Sequence, residues 1–88
     1  MNIELLEKTF NEAKERECCI CVEVTIPGQN DTELIINKFE SLDNKLEYYK
    51  KTYDENLVHK NCSEIKIVSA IPIDFMFQSN EVDEEINV

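Results

Sequence analysis

The apolar positions of the chain change period near residue 18. An apolar stripe at spacings of three and four predicts a first helix from Asn2, its N-cap, to about Glu17: Ile3, Leu6, Phe10 and Ala13. Leu5 lies off this stripe. From residue 18 the apolar residues alternate instead, which predicts a strand with one strongly apolar face: Cys18, Ile20, Val22, Val24 and Ile26.

The next segment has the composition of a β-hairpin. Pro27-Gly28, followed by Gln29, Asn30 and Asp31, is turn chemistry, and residues 33–37 (ELIIN) are rich in β-forming side chains. The two strands are therefore expected to pair antiparallel around this turn.

A second helix and a third strand complete the pattern. The helix is predicted from a narrow stripe after Ser41 or Asp43, with Tyr48 on the opposite side: Leu42, Leu46, Tyr49, Tyr53 and Leu57. The strand is predicted from four isoleucines that alternate with Lys66, Val68, Ala70 and Pro72: Ile65, Ile67, Ile71 and Ile73. Pro72 places the end of this strand at a sheet edge or a bulge, because proline has no N–H to donate.

The element order predicts a two-layer α+β fold. The sequence α-β-β-α-β is most simply a three-stranded, largely antiparallel sheet with both helices on one face. Residues 1–77 form a single domain in this interpretation, and residues 78–88, with four acids and no base, form an acidic flexible tail.

The sheet face away from the helices carries unusually many apolar residues. Cys19, Cys21, Ile35, Val68 and Ala70 are predicted to lie there. Two readings stay open. In the first, the face pairs with a second copy or another partner through Cys19, Cys21, Val68 and Ala70; in the second, long side chains such as those of Glu23 and Lys66 shield it.

Zinc binding is one chemical alternative. Cys18, Cys21, His59 and Cys62 have the ligand types and close spacing of a four-ligand site. Strand alternation, however, directs Cys18 and Cys21 to opposite faces, and no tight turn lies between them. The default prediction is that all four cysteines are reduced thiols and that no cofactor is bound.

Catalysis is not favoured by the residue pattern. The only histidine, His59, is expected near the end of the second helix and three residues before Cys62, without a third orienting group. The single glycine does not make a phosphate-binding loop. The four lysines of residues 41–60 are balanced by four acids, which argues against direct nucleic-acid binding.

Charge changes the functional expectation most. The 88 residues carry a net charge of −10, which repels nucleic acid and anionic membranes and attracts basic partners. Residues 78–88 carry −4 of this total, and residues 41–60 are neutral. The charged N-terminus and the lack of a long apolar run predict a cytoplasmic protein.

A resemblance then suggests a source. LDNKLEYYKKTYDENLVHK, with EIKIVSAIPID after a short gap, resembles small uncharacterised accessory proteins of phages and prophages of low-GC Gram-positive bacteria, over residues 32–74. That resemblance implies a protein that acts in the host cytoplasm on host factors, and it assigns no catalytic residue.

The functional hypothesis combines charge and resemblance. It describes a non-enzymatic interaction protein that binds a basic surface of a host or defence protein that handles nucleic acid, and inhibits it. The predicted partner-binding residues are Tyr48 and Leu5, as aromatic and apolar contacts, and six glutamates, which supply the acidic field together with the tail of residues 78–88: Glu4, Glu7, Glu12, Glu15, Glu23 and Glu33. A homo-oligomeric phage structural or assembly protein and a small zinc module are the alternatives.

Overall fold

Two helices and three strands make up the fold, seen in a computed structural model that describes residues 1–74. The helices are α1 (Ile3–Arg16) and α2 (Leu42–Thr52), and the strands are β1 (Cys19–Thr25), β2 (Thr32–Asn37) and β3 (Ile67–Ile73). β1 is central and pairs antiparallel with β2 on one side and β3 on the other. The α+β prediction is confirmed, and so is the edge position of the strand that contains Pro72.

The core joins both helices to one face of β1. Leu6 and Phe10 of α1 are fully buried together with Ile20 and Val22 of β1, and Tyr49 of α2 belongs to the same cluster. The rings of Phe10 and Tyr49 meet edge to face at 6.0 Å between centroids. Such burial of large apolar side chains is the main favourable term in folding.

Residues at its two ends fix the length of α1. The side-chain carbonyl of Asn2 accepts a hydrogen bond from the Leu5 N–H at 2.8 Å, as the sequence predicts for an N-cap. At the other end Glu17 has the left-handed backbone conformation, with φ of 53°, and its N–H is bonded to Lys14. The chain therefore turns at Glu17 and enters β1 at Cys19.

The hairpin turn follows from its two special residues. The N–H of Gln29 donates to the carbonyl of Ile26 at 3.1 Å, and Gly28 between them has φ of 80°. This is the geometry of a type II turn, in which proline suits the first central position and glycine the second. β2 then runs back along β1 from Thr32.

The second helix is shorter than its apolar stripe predicts. α2 ends at Thr52, and Tyr53 is already extended. The Asp54 carboxylate accepts from the N–H groups of Asn56 and Val58, which ties the following residues into a turn. Leu57 has a left-handed backbone conformation, with φ of 63°, and its side chain is buried in the core. It is therefore a core residue, as the apolar stripe of the second helix suggests, although it does not lie in a helix. His59 consequently lies well beyond the helix end.

A β-bulge changes which residues of β3 face the core. Val24 is opposite Ile67 but Glu23 is opposite Ser69, so Val68 is the extra residue. Beyond it Ala70 lies opposite Val22 and Pro72 opposite Ile20, and both buried partners face the core. The prediction that Ala70 lies on the outer face is therefore wrong, and Ile71 and Ile73, which alternate with it, lie on that face instead.

The register of β2 shows that the prediction of Ile35 on the outer face is also wrong. Ile35 lies opposite the buried Val22 and packs against the core, whereas Leu34 and Ile36 lie opposite Glu23 and Cys21. Side chains that are directly opposite in an antiparallel pair share a face. Ile35 therefore belongs to the core side, and its two neighbours belong to the outer side.

Residues 75–88 lie outside the described part of the chain, and with them the predicted tail of residues 78–88 and the end of the 1–77 domain. Within residues 1–74, neither helix has the length and apolar character to cross a membrane.

Candidate interaction surface

The side of the sheet opposite the core, here called the outer sheet face, is an apolar surface with one acid near its centre. Register and alternation place ten side chains on it: Cys19, Cys21, Glu23, Thr25, Thr32, Leu34, Ile36, Ser69, Ile71 and Ile73. Leu34 is 59% exposed and Ile71 is 57% exposed, at the two flanking strands. Several exposed aliphatic side chains on one face mark interaction surfaces more often than isolated ones do.

Glu23 is held in place by hydroxyl groups on both neighbouring strands. The Ser69 hydroxyl on β3 donates to Oε1 at 2.9 Å, and the Thr32 hydroxyl on β2 donates to Oε2 at 2.5 Å. These two hydrogen bonds, that of Thr32 first, lower the pKa of Glu23. The outer sheet face therefore presents an oriented anion that stays ionised at lower pH than an ordinary glutamate.

The predicted glutamates of α1 do not join Glu23 on one surface. Glu7 pairs with Lys50 of α2 at 3.2 Å, and Glu12 pairs with Arg16 at 3.0 Å. Glu4 and Glu15 are exposed and form no salt bridge within residues 1–74. Because α1 packs on the core side of the sheet, these carboxylates are separated from Glu23 by the thickness of the domain.

Glu33 and Tyr48 are brought together in a groove beside β2. The groove has a volume of about 440 Å³ and is lined by residues of β2, α2 and the segment that follows it: Glu33, Leu34, Ile35, Lys45, Tyr48, Tyr49 and Tyr53. Tyr48 is 49% exposed, and its ring meets that of Tyr49 at 5.4 Å between centroids. The ammonium group of Lys45 lies 5.5 Å from the Tyr48 ring centroid and 5.7 Å from that of Tyr49.

The distances from the Lys45 ammonium group to the two tyrosine ring centroids are those of cation–π contacts. The groove therefore already holds one cationic group against its tyrosine rings, and it has the Glu33 carboxylate at its β2 wall. Burial raises the pKa of Tyr49 to about 12, so its hydroxyl is neutral, and it donates to the buried Asn37 side chain rather than into the groove.

The four residues of the zinc alternative are not brought together. Cys18 is buried at the end of α1, Cys21 lies on the outer sheet face, and the described residues contain no group of three or more side chains suited to hold a metal ion. Nδ1 of His59 accepts a hydrogen bond from the Asn61 N–H at 3.0 Å. Burial raises the pKa of the Cys18 and Cys21 thiols, which opposes thiolate formation.

The predicted oligomer residues are divided by the bulge. Cys19 and Cys21 lie on the outer sheet face as expected, Val68 is exposed at the bulge itself, and Ala70 packs toward the core. Ile71 and Ile73 take the place that the alternation assigned to Ala70. Ser69 was the sequence signal for the bulge. It stands in the same alternating row as the four isoleucines of this strand, and a serine in that row indicates that the alternation breaks there.

Comparison with family models, with curated proteins and with solved structures gave no match for this chain. The assignment of a function therefore depends on the surfaces of the molecule itself.

Proposed function

We propose that the chain is a non-enzymatic, cytoplasmic interaction protein that binds a basic surface of another protein through its outer sheet face. The observation that carries the proposal is the Glu23 carboxylate, fixed by Thr32 and Ser69 among exposed aliphatic side chains. An oriented anion inside an apolar surface is complementary to an arginine or lysine that has apolar neighbours.

The charge of the molecule supports a basic partner. The full chain carries −10 and residues 1–74 carry −6, so a positively charged protein is attracted from a distance. Basic surfaces on proteins commonly bind nucleic-acid phosphate. We therefore propose that the target is a host or defence protein that handles nucleic acid. In this proposal the chain is an accessory protein of phage type, and it inhibits the target by covering its basic surface.

Capture from a bacterial lysate tests this proposal with three forms of the protein. The bait is the full chain, the lysate is nuclease-treated, and the salt concentration is raised in steps. We expect the wild type to retain a basic protein in a salt-sensitive manner and, once that protein is purified, to displace added nucleic acid from it at equimolar ratio. Glu23→Gln, which keeps the shape of the side chain, should weaken this binding by about tenfold.

The matched control is Glu15→Gln on α1, which removes the same charge from an exposed position outside the outer sheet face. It should change affinity far less than Glu23→Gln. Equal effects of the two substitutions would mean that net charge alone drives binding, and the outer sheet face would lose its assignment.

The outer sheet face also favours a second candidate, a homo-oligomer of structural or assembly type. Exposed Leu34 and Ile71 could pair with the same residues of a second copy across a twofold axis. Static light scattering at micromolar concentration distinguishes the candidates, because a strict monomer is incompatible with an oligomer built on this face.

A further inference from the structure

The two edges of the sheet differ in how well they are protected from pairing with another strand. β3, at one edge, contains the bulge at Val68 and the proline at position 72, and both features interrupt a regular hydrogen-bonding edge. β2, at the other edge, is TELIIN and has neither a bulge with β1 nor a proline, a glycine or a lysine. Within residues 1–74 no strand pairs with its outer side.

The backbone directions at this edge follow from contacts of β1. The Thr25 N–H donates toward the β3 side, to the Lys66 carbonyl, whereas the Ile20 carbonyl accepts from the Asn37 side chain on the β2 side. Odd-numbered residues of β1 thus direct their backbone groups to β3, and even-numbered residues direct theirs to β2.

In β2 the residues opposite Ile20 and Val22 are Asn37 and Ile35, so these direct their backbone groups back to β1. Leu34 and Ile36, between them, direct their N–H and C=O groups away from the sheet. The free edge therefore offers alternating donors and acceptors at Leu34 and Ile36.

Side-chain surroundings at this edge also differ between the two faces of the sheet. On the outer sheet face stand the aliphatic side chains of Leu34 and Ile36. On the core side the edge borders the tyrosine groove, with Glu33 at its wall and the rings of Tyr48 and Tyr49. A strand added here would meet an apolar environment with one set of its side chains and an aromatic, partly anionic one with the other set.

From these observations we propose that the free edge of β2 is a strand-addition site for an extended peptide segment of the partner, paired antiparallel, in which apolar residues alternate with arginines. The apolar side chains lie beside Leu34 and Ile36, and the arginine side chains enter the tyrosine groove and pair with Glu33. This inference rests on the proposed function, since it specifies how a basic partner is bound.

Arginine fits the groove better than lysine does. Its planar guanidinium stacks on aromatic rings and forms two parallel hydrogen bonds with a carboxylate. In the free protein the flexible side chain of Lys45 lies over the tyrosine rings, and it must move outward before an arginine can enter the groove. Main-chain hydrogen bonds to Leu34 and Ile36 supply the part of the affinity that does not depend on side chains.

A blocked eight-residue peptide of alternating arginine and valine is a suitable probe for the full chain, followed by the backbone amide signals in NMR. Residues directly opposite in an antiparallel pair share a face, so the valines would lie opposite Leu34 and Ile36 and would direct their amides to β2. N-methylation of the valine amides should abolish binding. N-methylation of the arginine amides, which face away, should leave the affinity within about twofold.

On the protein side Leu34→Pro removes an outward N–H that β1 does not use, and proline is tolerated at such an edge position. It should lower peptide affinity at least tenfold, whereas Leu34→Ala, which keeps the N–H, should lower it much less. Tyr48→Ala and Glu33→Gln should each weaken the arginine peptide more than a peptide with lysine in place of arginine.

Three results would overturn the inference: equal binding of the two N-methylated peptides, unchanged binding by Leu34→Pro, or concentration-dependent shifts at Leu34 and Ile36 without peptide, which would assign the edge to a second copy. If Leu34→Pro failed to fold, the two methylated peptides would still decide. Loss of partner binding in Glu23→Gln, combined with unchanged binding in Leu34→Pro, would reject strand addition and keep the proposed function.

Discussion

At the scale of single residues, a buried polar pair links the hairpin to the second helix. The Tyr49 hydroxyl donates to Oδ1 of Asn37 at 3.2 Å, and Nδ2 of Asn37 lies 3.4 Å from the Ile20 carbonyl. Asn37 is 2% exposed, so its amide has little access to water. The apolar stripe of the helix indicates that Tyr49 is buried, but its partner could not be predicted, because an asparagine at the end of a strand is usually solvated.

Tyr49→Phe should lower the free energy of unfolding by about 1–2 kcal/mol, because Oδ1 of Asn37 would lose a donor in a buried place. Urea denaturation at neutral pH measures this change. Tyr48→Phe is the matched control, since Tyr48 is exposed on the same helix and should change stability by less than about 0.5 kcal/mol. Equal losses in the two variants would contradict the role of the buried hydrogen bond.

The same tyrosine makes stability depend on alkaline pH. Its pKa is raised from an ordinary value of 10.0 to about 12 in the folded protein, chiefly by burial. The folded state therefore holds the proton more tightly, so this stabilisation is present below pH 10 and is lost as pH rises toward 12. Denaturation at pH 9 and at pH 11 should show a smaller decline for Tyr49→Phe than for the wild type. An identical decline would assign the effect to other groups.

At the scale of elements, the sequence predicts the existence and order of the helices and strands better than their faces. Alternation identifies β1 correctly because no residue interrupts it. In β3 the bulge inserts Val68 and inverts the assignment of every later residue, since a slip of one position exchanges the two faces. In β2 three consecutive aliphatic residues fit either face, and only pairing with β1 decides between them.

The N-terminus of α1 offers a test at this scale. Asn2→Ala removes the side-chain acceptor of the Leu5 N–H and should lower the free energy of unfolding by about 1 kcal/mol. Asn11→Ala, at an exposed position inside the same helix, is the matched control, and it should be neutral or slightly stabilising because alanine is the better helix former. A loss in Asn11→Ala as large as that in Asn2→Ala would show that capping is not the cause.

At the scale of the whole molecule, the net charge follows from composition, whereas the positions of the acidic side chains on the surface follow from the fold. The acids that the sequence suggests as one contact set divide between the exposed side of α1, salt bridges to Lys50 and Arg16, the outer sheet face and the groove beside β2. Composition predicts attraction to basic partners, because net charge needs no fold. The place where a partner is held depends on register: Leu34 and Ile36 are assigned to the face of Glu23 only by the pairing of β2 with β1, and Ile71 only by the bulge in β3.

Shortening the chain to residues 1–77 separates attraction from contact, because it changes the net charge from −10 to −6. We expect the association rate constant with the arginine–valine peptide to fall severalfold at low salt, and the difference to shrink at physiological ionic strength. The dissociation rate should stay unchanged, since charged groups outside an interface act mainly on association. The control is the full chain with its last four acids changed to glutamine or asparagine, which should match the shortened protein. Faster dissociation of the shortened protein alone would mean that residues 78–88 contact the peptide, and the binding surface would then extend beyond the outer sheet face and the edge of β2.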